Sequence, residues 1–345
     1  METLDSPQIT FSFVAPVYNE QDGLEEFYHR LTAVANKLGE PYEIILVNDG
    51  STDDTAGVLR RLATDDSRVR VVELSRNFGH QVAVTAGYDY ACGRAVISLD
   101  ADGQHPPEMI PDMVSRWREG FEVVYTVRRD TKGIRPLRRG IGRLMYRLIR
   151  SSSGADLTDQ ADFRLLDRKA LEALKTVREQ ARFVRGLVRW IGFRQVGIPY
   201  TAQKRIAGKS NYSFKQLMRM STAGVYNFSS RPLRMAPAIG TFLVVAAVIY
   251  AAAAVIYALA VAAFNLPWVP WPWWLHVMAA MVAMFGVQFL LFGVMGEYIA
   301  RIFDQTKGRP LYIVREKIGF PKPSGEEEEA QKQELAPRER FSVFT

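Results

Sequence analysis

Val96-Ile97-Ser98-Leu99-Asp100-Ala101-Asp102-Gly103-Gln104 is an apolar run that ends in two carboxylates one residue apart and then a turn. In extended backbone, positions i and i+2 point the same way, so Asp100 and Asp102 converge at the strand's C-terminal end. In an open α/β sheet that edge is where ligands sit. Two hard oxygen donors with room for water suit Mg²⁺ or Mn²⁺ held jointly with a diphosphate. A solvated Asp-rich turn is the competing reading, and only the rest of the chain decides between them.

On both sides of that stretch, strand and helix signals alternate. Strands are expected over 9–17, 42–48, 69–74, 95–99 and 122–127, and helices over 20–38, 53–63, 81–91 and 107–118. The alternation predicts a mostly parallel sheet with helices on both faces. No G-x-G-x-x-G follows the first strand, so a dinucleotide site is not supported. Each of the first four strands closes on a polar loop: Pro16-Val17-Tyr18-Asn19-Glu20, Asn48-Asp49-Gly50-Ser51, Ser75-Arg76-Asn77-Phe78-Gly79-His80, and Asp100 to Pro107. All four fall at one sheet edge and line one crevice. Asn48 to Ser51 is also a good turn and helix-cap sequence in its own right. His80 and His105 read as loop residues rather than metal ligands.

The chain has 345 residues, a formal net charge of +7 and one cysteine, Cys92, which excludes an internal disulfide and a cysteine zinc cluster. The N-terminus lacks a basic n-region and an apolar core, so no signal peptide is expected and the first domain is read as cytosolic. Between Met235 and Gly296 no Asp, Glu, Lys or Arg occurs. Two spans are read there, 236–264 and 273–296, each beyond the ~20 apolar residues a crossing needs. Arg205, Lys209, Lys215, Arg219, Arg231 and Arg234 precede the first span, and Arg301, Lys307 and Arg309 follow the second. The connecting loop has no basic residue and holds Trp268, Trp271, Trp273 and Trp274 at its edge. The positive-inside rule then puts both termini and the crevice on the cytosolic side of the plasma (inner) membrane. The basic clusters lie beside the spans, which argues against a nucleic-acid role. The remaining divisions are an extension over 1–8, a catalytic domain over 9–210, an amphipathic juxtamembrane segment over 211–235, a basic cytosolic segment over 297–319 and a disordered acidic tail over 320–345.

The ordered loops, with Gln160-Ala161-Asp162-Phe163-Arg164-Leu165-Leu166, Gly208-Lys209-Ser210-Asn211-Tyr212 and two C-terminal spans, resemble the GT-A fold glycosyltransferases of family 2. Within that family the chain is similar to the polyprenyl-phosphate enzymes, namely dolichol-phosphate-mannose synthases and bacterial undecaprenyl-phosphate glucosyltransferases of the GtrB type. The resemblance implies a GT-A α/β domain with a two-helix transmembrane hairpin. It implies a UDP-hexose donor, a polyprenyl phosphate acceptor, Mg²⁺ or Mn²⁺, and a homo-oligomer. By the same resemblance Asp49 contacts the uracil, with Pro16, Tyr18 and Glu20 beside it and Arg76 and Asn77 at the nucleoside. Asp100 and Asp102 hold the metal, with Gln104 nearby. Arg128, Arg138, Arg139, Arg164, Arg205, Lys209 and Ser210 face the phosphates or the acceptor. Asp162 is expected to act as base or acceptor orienter, with a helix N-cap as its other reading. Arg189-Trp190 fits the Gln-x-x-Arg-Trp signature of processive synthases only in part, since Gly186 stands at the Gln position, and is read as packing. The alternatives are another sugar (mannose from GDP-mannose, or an amino-arabinose derivative), a processive polysaccharide synthase, or a non-catalytic membrane scaffold subunit.

Overall fold

In a computed structural model of the chain, residues 9–128, 160–201, 231–264 and 273–320 are described. Their order is β1 (Phe11–Val17), α1 (Leu24–Leu38), β2 (Tyr42–Asn48), α2 (Thr55–Asp65), β3 (Val69–Leu74), α3 (His80–Tyr90) and β4 (Ala95–Ser98). There follow α4 (Ile110–Arg118), entered through a short 3₁₀ turn, then β5 (Val123–Arg128), β6 (Gln160–Asp167), α5 (Arg168–Thr176), α6 (Val184–Trp190) and β7 (Gln195–Tyr200). Two long helices, α7 (Arg231–Phe264) and α8 (Trp273–Thr306), precede the last strand, β8 (Val314–Ile318).

All eight strands form one sheet in the order β7-β5-β6-β4-β1-β2-β3-β8. The pairs β4–β1, β1–β2 and β2–β3 are parallel, so the loops after these four strands open at the same edge. β6 runs antiparallel to both β4 and β5, and β8 antiparallel to β3. The sheet is therefore mixed, a GT-A-like arrangement whose parallel half matches the expected strands closely.

Strand periodicity sorts the core into two layers. Phe11, Phe13, Ile44 and Leu46 join Leu24, Phe27 and Leu31 of α1, Val58, Leu59 and Leu62 of α2, and Met113 and Val114 of α4. On the opposite face Val14, Ile45, Val47 and Val72 meet Ala83, Val84 and Ala86 of α3, Leu171 and Leu174 of α5, and Leu187 of α6. Gly87 of α3 allows that helix to lie directly on β1, since a Cβ there would stand 2.2 Å from Val14 Cγ1.

Residues 297–319, read from sequence as a basic cytosolic segment, hold the last turns of α8 and then β8. The helix runs past Gly296 because charged residues pair along it, as in Arg301–Glu297 at 2.7 Å. β8 places Arg315, Glu316 and Lys317 in a row between Val314 and Ile318, the charged composition of an edge strand. Arg60 bridges Glu73 of β3 and Glu316 of β8, both at 3.0 Å. A chain cut after Thr306 leaves the β3 edge unpaired. It is expected to unfold at a lower denaturant midpoint and to aggregate more readily than the full chain, which urea titration with light scattering checks.

α7 and α8 have 34 residues each, about 51 Å at 1.5 Å per residue. Gly240–Phe264 and His276–Thr306 are long and apolar enough to cross a membrane. Among the described residues of these two spans none is fully buried in protein; Ile256 is 66% exposed and Phe289 72%. The amphipathic segment expected over 211–235 lies almost wholly outside the described residues.

Candidate active site

The four strand-end loops are tied to one another by side chains that the sequence placed there. Asn19 Oδ1 accepts the Thr52 N–H (2.8 Å) and Ser51 Oγ accepts the Asn19 N–H (3.0 Å), which joins the β1 and β2 loops. Asn19 sits at φ 55°, a conformation asparagine tolerates better than most residues. Asn48 Oδ1 accepts the Ser51 N–H at 3.0 Å and tightens the turn. Asp49, 3% exposed, accepts the N–H groups of Phe78 (2.7 Å) and Gly79 (2.9 Å). It clamps the β3 loop onto the β2 loop. Burial pushes its carboxyl up, against the pull of those two amides.

Gly50 is required at this junction. Its φ is +66°, and a Cβ would lie 2.5 Å from the Arg76 carbonyl carbon. Gly50→Ala is expected to lower stability by about 1–3 kcal/mol, because the strain is relieved only by parting the two loops. Chemical denaturation of both proteins checks this.

Arg76 lies over the Phe78 ring at 4.0 Å and donates to the Asn77 carbonyl at 3.0 Å, on the exposed rim of the crevice. Tyr18 is 45% exposed and available to a ligand. Pro16 is not: it is buried inside β1, opposite Val47. The Glu20 N–H is held by Thr55 Oγ1 at 3.0 Å.

Asp100 and Asp102 follow β4, which ends at Ser98, and Asp102 lies in a turn rather than in extended backbone. Asp102 accepts the Gln104 backbone N–H (3.0 Å) and its side-chain amide (2.9 Å). Asp100 Oδ1 lies 2.7 Å from His80 Nε2. His105 Nδ1 accepts the Asp100 N–H at 2.9 Å, while its ring stacks on Phe163. His105 is 5% exposed and so belongs to the site's floor. Burial alone would lower the His80 imidazole, but the Asp100 carboxylate, with Asp162 behind it, raises it to about 9. Burial would likewise raise Asp100, and the neighbouring His105 and His80 bring it down to about 2. His80 is thus an ion-pair partner of the central carboxylate, not a spare loop residue.

Carboxylate oxygens are the donors Mg²⁺ and Mn²⁺ take, and Asp100 and Asp102 supply them at one strand end. Among the described residues no group of three or more His, Cys, Asp or Glu side chains gathers to hold a cation. The residues present fit a cation whose other ligands come from a diphosphate.

Asp162 is not a helix cap. It lies in β6, where the register pairing Ser98 with Arg164 continues to bring Asp162 beside Asp100. Its carboxylate accepts from Arg164 Nη2 (2.6 Å), Arg185 Nε (2.9 Å), Arg185 Nη2 (2.6 Å) and Gln81 Nε2 (3.3 Å). Burial would raise this carboxyl, but Arg185 and then Arg164 hold it far below the usual carboxylate range. A carboxylate so engaged is a poor proton acceptor, and its geometry is that of an orienter of arginines.

Arg164 is itself 2% exposed, under Asp162, so it does not reach a phosphate in the crevice. Arg185, which the sequence reading missed, is the exposed partner of the pair, with 29% of its side chain accessible. It sits 23 residues from Asp162 in a short helix with no motif of its own, so only the fold reveals it. Trp190 at the end of that helix is 72% exposed. The packing role expected for it does not hold. Arg128 ends β5, and Arg138, Arg139, Arg205, Lys209 and Ser210 lie outside the described residues.

Residues 12–175 match the Glycosyl transferase family 2 model. Over 316 residues the chain is 40% identical to the uncharacterized glycosyltransferase YkcC of Bacillus subtilis, covering 91% of this chain and 96% of that protein. It is 33% identical over 305 residues to the SfII prophage-derived bactoprenol glucosyl transferase of Shigella flexneri, covering 88% and 97%. Among solved structures, mannosyl-3-phosphoglycerate synthase from Rubrobacter xylanophilus aligns with TM-score 0.47 and 19% identity over 66% of this chain and 75% of that one. The chain belongs to glycosyl transferase family 2.

Proposed function

We propose that this enzyme is an inverting hexosyltransferase that moves one hexose, glucose before others, from a UDP-sugar to a polyprenyl phosphate at the cytosolic membrane face. The observation that carries the reading is the meeting of four strand-end loops around Asp100 and Asp102. The likeness to bactoprenol glucosyl transferases over 88% of the chain supports the lipid acceptor. The placement of β8 supports the topology. A chain that leaves the sheet after β7, passes through two apolar helices and returns to the same sheet has both ends of its hairpin on one side.

In this reading Tyr18, Arg76 and Asn77 hold the nucleoside. Asp49 keeps the 78–79 backbone against the base. Asp100 and Asp102, with Gln104, would hold Mg²⁺ or Mn²⁺, which supplies charge neutralisation at the leaving diphosphate. The acceptor phosphate is a nucleophile already, since its second pKa is ~6. It needs placement and relief from repulsion more than a base. Arg185, oriented by Asp162, and the cationic set Arg128, Arg138, Arg139, Arg205 and Lys209 supply that. Arginine binds phosphate oxygens in pairs, lysine as a point charge.

Lys209→Ala is expected to raise KM for the lipid by about tenfold, the scale of one charge-assisted contact, and KM for the nucleotide sugar by less than twofold. Steady-state kinetics in detergent with each substrate varied checks it. The reverse pattern moves Lys209 to the donor side. One sugar per lipid in the product separates this reaction from a processive synthase, which would yield a polymer.

A further inference from the structure

Gln81, Thr85 and Asp89 lie four residues apart along one face of α3, and each catches one point of the segment that leads into α6. Asp89 pairs with Arg178 (2.8 and 2.9 Å), Thr85 Oγ1 accepts from Arg182 Nε (3.1 Å), and Gln81 Oε1 accepts the Val184 N–H (3.0 Å). Residues at i, i+4 and i+8 share a helix face, so the three contacts form a straight rail. Immediately beyond it Arg185 grips Asp162.

The other end of this rail is fastened to the end of α8. Gln305 Oε1 accepts the Gln180 N–H at 2.9 Å, and its amide donates to the Arg178 carbonyl at 3.2 Å. Gln180 also donates to the Arg309 carbonyl. Tyr312 donates to Asp89 at 2.8 Å, the same carboxylate that binds Arg178. A continuous run of hydrogen bonds therefore leads from the foot of an apolar 34-residue helix to the carboxylate beside Asp100. α6 has seven residues, too few to hold a direction unaided.

We propose that Gln305 and Tyr312 are positioning residues, which set Arg185 and Asp162 for transfer through the 178–184 segment. The seating of α8 in the bilayer is thereby linked to the acceptor side of the crevice. The inference rests on the lipid-acceptor reading for its catalytic consequence, but not for the coupling itself. The donor-side loops are fastened separately, through Asp49 and Asn19, so the linkage is selective.

The test uses the full-length protein in lipid nanodiscs. Gln305→Ala is expected to speed amide exchange over 178–188 by roughly tenfold to thirtyfold, the scale of two lost hydrogen bonds. Residues 48–52 and 76–79 keep their wild-type exchange. In parallel, kcat for transfer to polyprenyl phosphate falls about fivefold or more, with KM for the nucleotide sugar within about twofold. Gln305→Glu keeps the acceptor for the Gln180 N–H and recovers part of the loss, and Tyr312→Phe gives a smaller effect of the same kind. Unchanged exchange over 178–188 overturns the coupling. Faster exchange with unchanged kcat overturns the positioning role. Faster exchange in all segments also overturns it, because Gln305 would then serve only general stability. Lipid transfer absent from the wild type would count against the functional reading alone, and the exchange data would still decide the coupling.

Discussion

Asp162→Ala is expected to lower stability by about 3 kcal/mol and to bring transfer to background. The carboxylate is the shared counter-charge of Arg164 and Arg185, at 2.6 Å from each. Its removal leaves the buried Arg164 guanidinium without its counter-charge, with the Ala161 carbonyl still accepting from it at 3.3 Å, and breaking such a pair costs about 3–5 kcal/mol. The lower end applies because Arg185, 29% exposed, can turn to water. Chemical denaturation and transfer assays on the same preparation measure both losses.

The same geometry separates an orienter from a base. Arg185 and Arg164 depress the folded-state pKa of Asp162 below its unfolded value. Its contribution to stability is therefore fully present above pH ~4 and is withdrawn only as pH falls below that. Hence the kcat profile of the wild type carries no limb from Asp162 between pH 5 and 9. A base titrating in that range would give such a limb, and Asp162→Asn would remove it, at a cost in stability close to that of Asp162→Ala because the counter-charge of Arg164 is lost in both.

Asp102→Asn is expected to leave the fold unchanged and reduce transfer about a thousandfold or more. Asparagine keeps an acceptor for the Gln104 N–H, the bond that shapes the turn. It removes the negative charge that a divalent cation needs. On the proposed function, several kcal/mol of charge stabilisation at the leaving diphosphate would depend on that cation, and about 4 kcal/mol corresponds to a thousandfold in rate. Circular dichroism and UDP binding report the fold, and initial rates across an Mg²⁺ or Mn²⁺ series report the chemistry. Wild-type rates in the variant would remove Asp102 from the metal site.

The parallel half of the sheet is legible in the sequence because its strands are short apolar runs closed by polar loops. Tyr42–Asn48 and Val69–Leu74 coincide with the expected ranges. The Asp-x-Asp, the Asn-Asp-Gly turn and the Arg-Asn loop all sit at one edge for the same reason. What escaped depends on partners remote in the chain. β6 pairs with β4 far earlier in the chain, Ser98 opposite Arg164, so the local sequence around Asp162 left base, orienter and helix cap open. β8 carries three charges in five residues because it closes an exposed edge, which in sequence looks like a solvated basic stretch. Arg185 and His80 carry no motif, and their significance lies in Asp162 and Asp100, which the fold brings to them. Arg164 shows the opposite error: its motif suggested a phosphate ligand, whereas its place inside β6 buries it under Asp162.

The most direct measurement is passage of label from UDP-[¹⁴C]glucose into the organic phase, with purified full-length protein, undecaprenyl phosphate and Mg²⁺ or Mn²⁺. Label entering lipid at one sugar per chain, lost on chelation and in Asp102→Asn, is the predicted result. No label in lipid from this or any other nucleotide sugar, in protein that binds UDP normally, would contradict the account.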